Sequence, residues 1–252
     1  MVPAMAKGRS TAGKPPRKAA PKGAAAVLAL TPRDLLRWAR RGVAGVVGGF
    51  LFLVLAFTLI NPVMTPYMVA ESWRRGGIAR DWVPIEEIAP ELARAVVAAE
   101  DANFCLHWGF DMRAIRAALD EGSGRGASTL SQQVVKNVFL WQGRSWPRKA
   151  LEALMTPVVE LVWTKRRILE VYLNVAETGI GTFGAEAGAQ RYFGVSASEL
   201  GAGQAALIAA TLPDPKGRNP VRPSGFLKKR ARAIGEGAAT IRADGRSACF
   251  ED

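Results

Sequence analysis

An uncharged apolar run at residues 42–60, GVAGVVGGFLFLVLAFTLI, constrains the folding of this 252-residue chain more than any other feature. As a helix it would span roughly 28 Å, close to the hydrocarbon thickness of a bilayer. A buried core helix and a cleaved signal peptide are the alternatives, but the run is apolar on every face and no clear A-x-A site follows it. We therefore predict one transmembrane helix over residues 42–60.

Positive charge is concentrated before this run. Residues 1–41 carry ten Lys or Arg and one Asp, so they account for +9 of the net charge of +12. Their Pro-, Gly- and Ala-rich composition predicts a disordered tail. Because the cytoplasmic flanks of spanning helices are basic, Arg37, Arg40 and Arg41 predict a cytoplasmic N-terminus and an exported remainder. Since topology accounts for the charge of the tail, no nucleic-acid partner is predicted.

The remainder of the chain is typical of one mainly α-helical domain. Residues 61–84 are rich in proline and predict a juxtamembrane connector. The domain itself is predicted over residues 85–222, and residues 223–252 are a C-terminal extension whose pattern indicates little. Pro157 is expected to kink or break the longest predicted helix. The predicted helical segments are 86–104, 127–140, 145–176, 184–194 and 198–212.

The two cysteines, Cys105 and Cys249, give little information. Neither belongs to a C-x-x-C motif or a Cys/His cluster, so no zinc site is predicted. We expect two unpaired thiols and leave a disulfide open as the alternative.

The stretch EDANFCLHWGF, residues 100–110, follows an Ala- and Val-rich segment with two carboxylates and the only histidine of the chain. If residues 91–108 are helical, Glu100, Phe104 and His107 lie on one face. Burial of Glu100 there would raise its pKa, which suits a general base. On this stretch alone, a solvent-exposed helix end with His107 favoured by the helix dipole is an equally good interpretation.

A second polar face is predicted in GASTLSQQVVKN, residues 126–137. Thr129, Gln133 and Lys136 share one side of the helix, with Ser128 and Asn137 beside them. This face offers hydroxyl, amide and amine groups but no acid, whereas solvated helices usually mix Glu with Lys. The pattern therefore favours a site for an anionic or sugar-rich ligand over a solvated amphipathic helix.

The segment RKALE, residues 148–152, begins the next predicted helix. Arg148 and Glu152 are four residues apart, so a surface ion pair is one interpretation. The alternative is that Arg148 and Lys149 bind a phosphate while Glu152 positions them.

Five ordered motifs resemble the monofunctional biosynthetic peptidoglycan transglycosylases, glycosyltransferase family 51. They are EDANFCLHWGFD (100–111), GASTLSQQVVKN (126–137), RKALE (148–152), KRRILEVYLNVAETGIGTFGAEAGAQRYFG (165–194) and ALIAATLPDPKGRNP (206–220). The sequence contains no S-x-x-K and no K-T-G motif, which favours the monofunctional branch. The resemblance implies a mainly α, lysozyme-like glycosyltransferase domain behind a single N-terminal transmembrane helix. It also implies that the aromatic stretch 138–146 contacts the bilayer.

The resemblance implies polymerisation of lipid II, in which the 4-hydroxyl of one lipid II attacks the anomeric carbon of the growing strand. Configuration inverts and undecaprenyl diphosphate leaves. By the same resemblance, Glu100 is the general base and Glu152 is the second catalytic glutamate, near the donor diphosphate. The matched substrate-binding positions are Asp101, Phe104, His107, Ser128, Thr129, Gln133, Lys136, Asn137, Arg148 and Lys149. Glu170, Tyr172 and Asn174 match a mainly structural motif that also forms part of the donor groove.

The resemblance also implies the setting of the reaction. No tightly bound cofactor and no protein metal site is predicted, so Mg²⁺ or another divalent ion would bind through the substrate diphosphate. The predicted partners are lipid II, the glycan strand and the bilayer, with cell-wall synthases and division proteins as candidates. The predicted location is the bacterial inner membrane, with a single pass, a cytoplasmic N-terminus and a periplasmic catalytic domain.

Two other functions are compatible with such a fold. A muramidase-like hydrolase or lytic transglycosylase needs a carboxylic acid to protonate a sugar leaving group. A diphosphate leaves without that acid but needs cations, and Lys136, Arg148 and Lys149 supply them. A non-catalytic cell-wall scaffold would be expected to lose Glu100 or Glu152, and both are present.

Overall fold

The computed structural model describes residues 31–120, 122 and 128–251. This part of the chain is mainly helical, which confirms the predicted fold class, and it divides into two compact units at residues 46 and 47. A small sheet has the order β1-β3-β2, with β1 parallel and β2 antiparallel to β3. The strands are β1 Ala79–Arg80, β2 Glu177–Gly179 and β3 Thr182–Phe183. The helices are α1 Pro32–Ala56, α2 Pro66–Arg75, α3 Pro90–Glu100, α4 Met112–Asp120, α5 Leu130–Phe139, α6 Trp146–Val162, α7 Lys165–Val175, α8 Ala185–Phe193, α9 Ala202–Thr211, α10 Gly225–Ala243 and α11 Ala248–Glu251.

Helix α1 begins well before the apolar run. Thr31 and Asp34 cap its first turn, since the Asp34 N–H donates to the Thr31 hydroxyl over 3.2 Å and that hydroxyl donates to the Asp34 carboxylate over 2.7 Å. The prediction of disorder is therefore wrong for residues 32–41, where this cap and good helix formers extend the helix. Residues 1–30 lie outside the described part. Among the described residues, α1 is the one helix long and apolar enough to cross a membrane.

The C-terminal end of α1 is bonded to the helical domain. The Trp163 indole N–H donates to the Val54 carbonyl over 2.7 Å. The Arg167 guanidinium donates to the Phe57 carbonyl over 3.0 Å and to the Ile60 carbonyl over 3.1 Å. Carbonyls at a helix end lack partners within the helix, so these side chains satisfy groups that would otherwise cost free energy when buried.

Two groups of helices form the core of the domain. Helices α3, α9 and α10 pack against one another, and α5 packs against both α6 and α7. Helix α10 lies in residues 223–252, for which the sequence predicted no structure. Its Leu227, Ala231 and Ile234 are spaced at i, i+4 and i+7 and are buried, so α10 contributes to the core. The proposed domain limits at residues 85 and 222 stay a prediction.

Pro157 lies inside α6, and the helix continues through it to Val162. A break at Pro157 is therefore not observed. Thr156 and Val159 on either side are fully buried, so packing holds the helix together despite the missing N–H. The chain instead breaks at Trp163, and Thr164 caps α7 by accepting from the Arg167 N–H over 3.1 Å.

Cys105 and Cys249 form a disulfide, so the expectation of unpaired thiols is wrong. The two residues are 144 positions apart in sequence. They meet because α10 returns the chain to the end of α3, and no local pattern indicates that return.

Candidate active site

The carboxylate of Glu100 is at the last residue of α3. The helix stops there, because the Asp101 N–H makes the final helical bond to the Val97 carbonyl and the next residues form a short turn and a 3-10 helix. A continuous helix to residue 108 is therefore wrong. Glu100 Oε2 accepts a hydrogen bond of 2.8 Å from Gln133 Nε2. The other oxygen, Oε1, is buried and has no hydrogen-bond partner among the described residues.

Burial raises the pKa of Glu100. The hydrogen bond from Gln133 and the positive charges of Arg230, Lys136 and Arg218 act in the opposite direction without cancelling the effect. A carboxylate with a raised pKa and one unengaged oxygen is suited to accept a proton from a bound hydroxyl.

The loop after Glu100 is held by Asp101. One Asp101 oxygen lies 2.9 Å from His107 Nε2, and the other accepts a 2.9 Å hydrogen bond from the Leu130 N–H at the start of α5. Asp101 thereby joins the loop to α5. Phe104 has no exposed surface and packs against Phe250, so it supports this loop from beneath and does not line a groove.

His107 lies at the edge of the same loop. It lines a cavity of about 260 Å³ together with Asn103, Phe110 and Asp111. Gly109 follows, with φ of 80°, and a Cβ added there would lie 2.7 Å from the Thr156 side chain. Only glycine fits that position, because both the backbone conformation and the neighbouring helix exclude a side chain.

Helix α5 presents the second motif. Thr129 is its N-cap and forms a capping box with Gln132, and its hydroxyl donates to the Gly109 carbonyl over 2.6 Å. Thr129 is thus a structural residue that joins α5 to the loop. Gln133 faces Glu100, a contact that the sequence did not predict, and its Oε1 lies 3.4 Å from the Tyr172 hydroxyl. Asn137 accepts from Gln142 over 3.1 Å.

Lys136 is half-buried and makes no hydrogen bond or ion pair with any described residue. Burial lowers its pKa, and the carboxylates of Glu152 and Glu100 only partly offset that effect. It lines a cavity of about 190 Å³ with Gln133, Asn137 and Tyr172. A partly buried ammonium group without a protein anion is suited to bind an anionic ligand.

Glu152 lies between two cations of the third motif. Its Oε2 accepts from Arg148 Nη1 over 2.6 Å, and its Oε1 pairs with Lys149 Nζ. Arg148 also donates to the Gly143 carbonyl over 2.8 Å, and Lys149 donates to the Ser128 hydroxyl over 2.8 Å. Because Arg148 and Glu152 are both buried, the interpretation as a simple surface ion pair is wrong.

Most predicted residues therefore meet in one region. A chain of contacts runs from Glu100 through Gln133 along α5, and a second runs from Ser128 through Lys149 to Glu152. Lys136 lies close enough to Glu100 and Glu152 for both carboxylates to raise its pKa, against the larger effect of burial. Asp101, Phe104 and Thr129 lie behind this surface and support it.

Several polar residues beside this region were not predicted from the sequence. Tyr67 and Glu177 line the cavity of Lys136, and burial together with the bond to Glu177 raises the pKa of Tyr67 to about 12. Glu71 is fully buried and accepts from Lys216 over 2.9 Å. Lys216 lies in the fifth motif, residues 206–220, so the sequence offered a reason to consider it. Tyr67 lies in the connector and gives no signal in the sequence.

The described residues contain no group of three or more His, Cys, Asp or Glu side chains suited to hold a metal ion. Glu152 does not fit that task, because both of its oxygens bind cations. We therefore derive no step through a protein-bound metal.

A family model described as Transglycosylase matches residues 68–238, more than half of the chain. The chain belongs to this transglycosylase family. The resemblance inferred from the five motifs is thereby confirmed, and the matched range extends into α10, as far as residue 238. Three relatives are named "Biosynthetic peptidoglycan transglycosylase". The relative from Jannaschia sp. (strain CCS1) is 60% identical over 88% of this chain and 92% of its own length. The relative from Stutzerimonas stutzeri (strain A1501) is 52% identical over 73% of this chain and 80% of its own length. The relative from Caulobacter vibrioides is 45% identical over 81% of this chain and 90% of its own length.

Proposed function

We propose that this transglycosylase is a peptidoglycan glycosyltransferase that polymerises lipid II into glycan strands. One observation carries the proposal: Glu100, a buried carboxylate with an unengaged oxygen at the end of α3, is bound by Gln133 of α5, and the same helix carries Lys136, a cation without an anionic partner among the described residues. A base for a hydroxyl nucleophile and a cation for an anionic leaving group are the two requirements of transfer from a diphosphate donor. The names of the relatives agree with this activity.

The proposed step uses Glu100 as the general base. Its carboxylate takes the proton of the 4-hydroxyl of the acceptor lipid II while that oxygen bonds to the anomeric carbon of the strand. The bond from the anomeric carbon to the phosphate oxygen breaks, and the electron pair leaves with undecaprenyl diphosphate. Attack opposite the leaving group inverts the configuration.

The cations act on the leaving group in this proposal. Lys136 binds the diphosphate directly, since it has no anionic partner among the described residues. Arg148 and Lys149 line a neighbouring cavity of about 300 Å³ with Trp146. Glu152 keeps these two cations in place, so it is a positioning residue in this reaction. A divalent ion such as Mg²⁺ would bind through the substrate diphosphate.

The hydrolase alternative is less well supported. It requires a second carboxyl group that protonates a sugar oxygen. Glu152 is the candidate, but Arg148 binds one of its oxygens and Lys149 the other, so neither oxygen is open to a sugar oxygen. A scaffold function leaves the unpaired Lys136 and the buried Glu100 unexplained, because both groups cost free energy in a protein that does not use them.

We further propose a single-pass inner-membrane protein with a cytoplasmic N-terminus and a periplasmic catalytic domain. Arg37, Arg40 and Arg41 at the N-terminal side of the apolar run support this orientation. The disulfide supports it independently, because disulfides persist in oxidising compartments. Trp146 is 88% exposed and suits contact with the bilayer interface. A reporter fused after residue 70 that proves cytoplasmic would contradict this topology.

The activity is tested by incubating the purified full-length protein with labelled lipid II. Wild-type protein and Glu87→Gln, a control at an exposed glutamate before α3, should both form polymer that lysozyme digests. Glu100→Gln should form none. Shortening of preformed strands without polymer would support a hydrolase, and turnover of neither substrate by the wild type would refute the enzymatic proposal.

A further inference from the structure

The loop that follows Glu100 is covered by residues 246–251, which we call the clasp segment. It contains the end of the α10–α11 connection and the short helix α11. The disulfide joins Cys249 in this segment to Cys105, five residues after Glu100. The clasp segment therefore contacts the chain immediately beside the proposed base, although it is far from it in sequence.

Noncovalent contacts reinforce that covalent bond. Arg246 donates to the Ala102 carbonyl of the loop over 2.9 Å. Phe250 is buried and its ring centroid lies 6.5 Å from that of Phe104. The clasp segment thus fixes the loop at its backbone, at its one fully buried aromatic side chain and through Cys105.

Helix α3 is held by the same segment. Glu251 Oε1 accepts a 2.9 Å hydrogen bond from Arg94, which is itself buried and lies within α3 before Glu100. The Phe250 carbonyl accepts a 2.8 Å bond from Arg166 of α7. The clasp segment therefore joins the helix that carries Glu100, the loop after it and helix α7.

The loop after Glu100 holds several polar groups of the candidate active site in place. Asp101 orients His107 and binds the N-terminal end of α5, and α5 carries Gln133, which binds Glu100. A displacement of the loop would move these groups relative to the carboxylate. Misplacement of a catalytic group by about 1 Å can reduce the rate about 100-fold.

We propose that the clasp segment and its disulfide to Cys105 position the active-site loop, so that glycosyl transfer by this protein depends on the disulfide being formed. The inference rests on the proposed function. Cys105, Cys249, Arg246 and Phe250 act as positioning residues and do not contact substrate. Reduction by a dithiol such as dithiothreitol breaks the S–S bond and yields two thiols, while the reductant is oxidised to its cyclic disulfide. Reoxidation forms the bond again, so the proposed dependence of activity on the disulfide is reversible.

The bond itself is tested first. Full-length protein purified from membranes without reductant should resist thiol alkylation, and both cysteines should be alkylated after reduction. Two alkylated cysteines in the unreduced protein would overturn the proposal.

Its catalytic consequence is tested with the oxidised wild type, the reduced wild type and Cys105→Ser/Cys249→Ser, each in detergent with lipid II. We expect reduction and the double substitution each to lower kcat by roughly 10- to 100-fold, with KM changed by less than about twofold, because the loop follows Glu100 directly, whereas Arg148 and Lys149 are held by Glu152 outside the loop. Reoxidation should restore the wild-type rate, whereas the double variant should not respond to reductant. Unchanged kcat in the reduced protein and in the double variant would overturn the proposal.

Hydrogen exchange separates positioning from general loss of structure. Reduction should accelerate exchange in residues 101–108 and 246–251 and leave α5 and α6 protected. Faster exchange throughout these helices would show a merely structural disulfide and would overturn the proposal. If the oxidised wild type does not polymerise lipid II, the proposed function fails, and local exchange then decides alone whether the clasp segment holds the loop.

Discussion

The buried group formed by Arg148, Glu152 and Lys149 allows a quantitative prediction. Arg148 is 7% exposed and Glu152 is 2% exposed, and a hydrogen bond of 2.6 Å joins Arg148 Nη1 to Glu152 Oε2. Replacing Glu152 by Met leaves the Arg148 guanidinium buried, with the Gly143 carbonyl as its remaining partner among the described residues. Removing one member of a buried ion pair typically costs about 3–5 kcal/mol, and we expect that loss in the free energy of unfolding.

The pair itself is measured by a double-mutant cycle. Arg148→Met alone leaves Glu152 with Lys149, whose side chain is 40% exposed and can hydrate, so we expect a smaller loss than for Glu152→Met. The double variant replaces the pair by apolar groups. It should be less destabilised than the sum of the single variants by about 2–3 kcal/mol, because neither charge is then left unpaired.

The assay is urea unfolding of the full-length protein in detergent, followed by tryptophan fluorescence. Arg166 and Glu86, whose side chains are 32% and 62% exposed, provide the control: Arg166 also binds the Phe250 carbonyl, but the cycle isolates its coupling to Glu86, which should be at most about 1 kcal/mol. If the coupling between Arg148 and Glu152 is as small as that of the control, the reasoning from burial is wrong. All variants at residues 148 and 152 should also lose polymerisation of lipid II.

Further predictions concern the base, the free cation and the anchor. Burial raises the pKa of Glu100, so the protein loses stability as the pH rises through the folded-state pKa of this group and the buried carboxylate becomes charged. Glu100→Gln should therefore raise the melting temperature at neutral pH while abolishing polymerisation. A lowered melting temperature would contradict this account. For the same reason, the wild-type rate should rise with pH through that raised pKa, since a base must lose its proton, and a rate independent of pH in the mildly acidic range would exclude Glu100 as the base. Lys136→Met should lower kcat/KM for lipid II by at least about tenfold, because the charge that binds the diphosphate is lost; a change below twofold would remove Lys136 from the site. Trp163→Phe removes the hydrogen bond to the Val54 carbonyl and should lower the free energy of unfolding by about 1 kcal/mol, whereas the same substitution at the exposed Trp73 should have no effect.

Local patterns in the sequence predicted some of the contacts in the candidate site. The spacing of Gln133 and Lys136 on α5 required only helical periodicity, and the structure places both on the surface that faces Glu100 and the cavity. The i, i+4 spacing of Arg148 and Glu152 likewise predicted their contact. Helical periodicity did not predict that Arg148 and Glu152 are buried, so it could not distinguish a surface ion pair from a buried one.

Contacts between distant segments were beyond the reach of local patterns. The bond from the Leu130 N–H to Asp101 fixes the loop after α3, and this bond joins residues 29 apart. The same limit applies to the disulfide and to Tyr67 near Glu177. The helix Gly225–Ala243 is a different case, because the spacing of Leu227, Ala231 and Ile234 was visible in the sequence, and the basic residues between them obscured it.

The bonds between the domain and the end of α1 bear on how deeply the domain would sit in the membrane. Val54 lies within the predicted membrane span, and its carbonyl accepts from Trp163 while Phe50 packs edge-on against Phe139 at 5.2 Å. If α1 spans the bilayer as proposed, Phe139 of α5 and Trp163 in the turn before α7 would reach the acyl-chain boundary, and the domain would be partly immersed in the lipid. A polyprenyl substrate could consequently stay in its leaflet while its diphosphate enters the groove, and the thickness of the bilayer would set how far the groove stands above the headgroups.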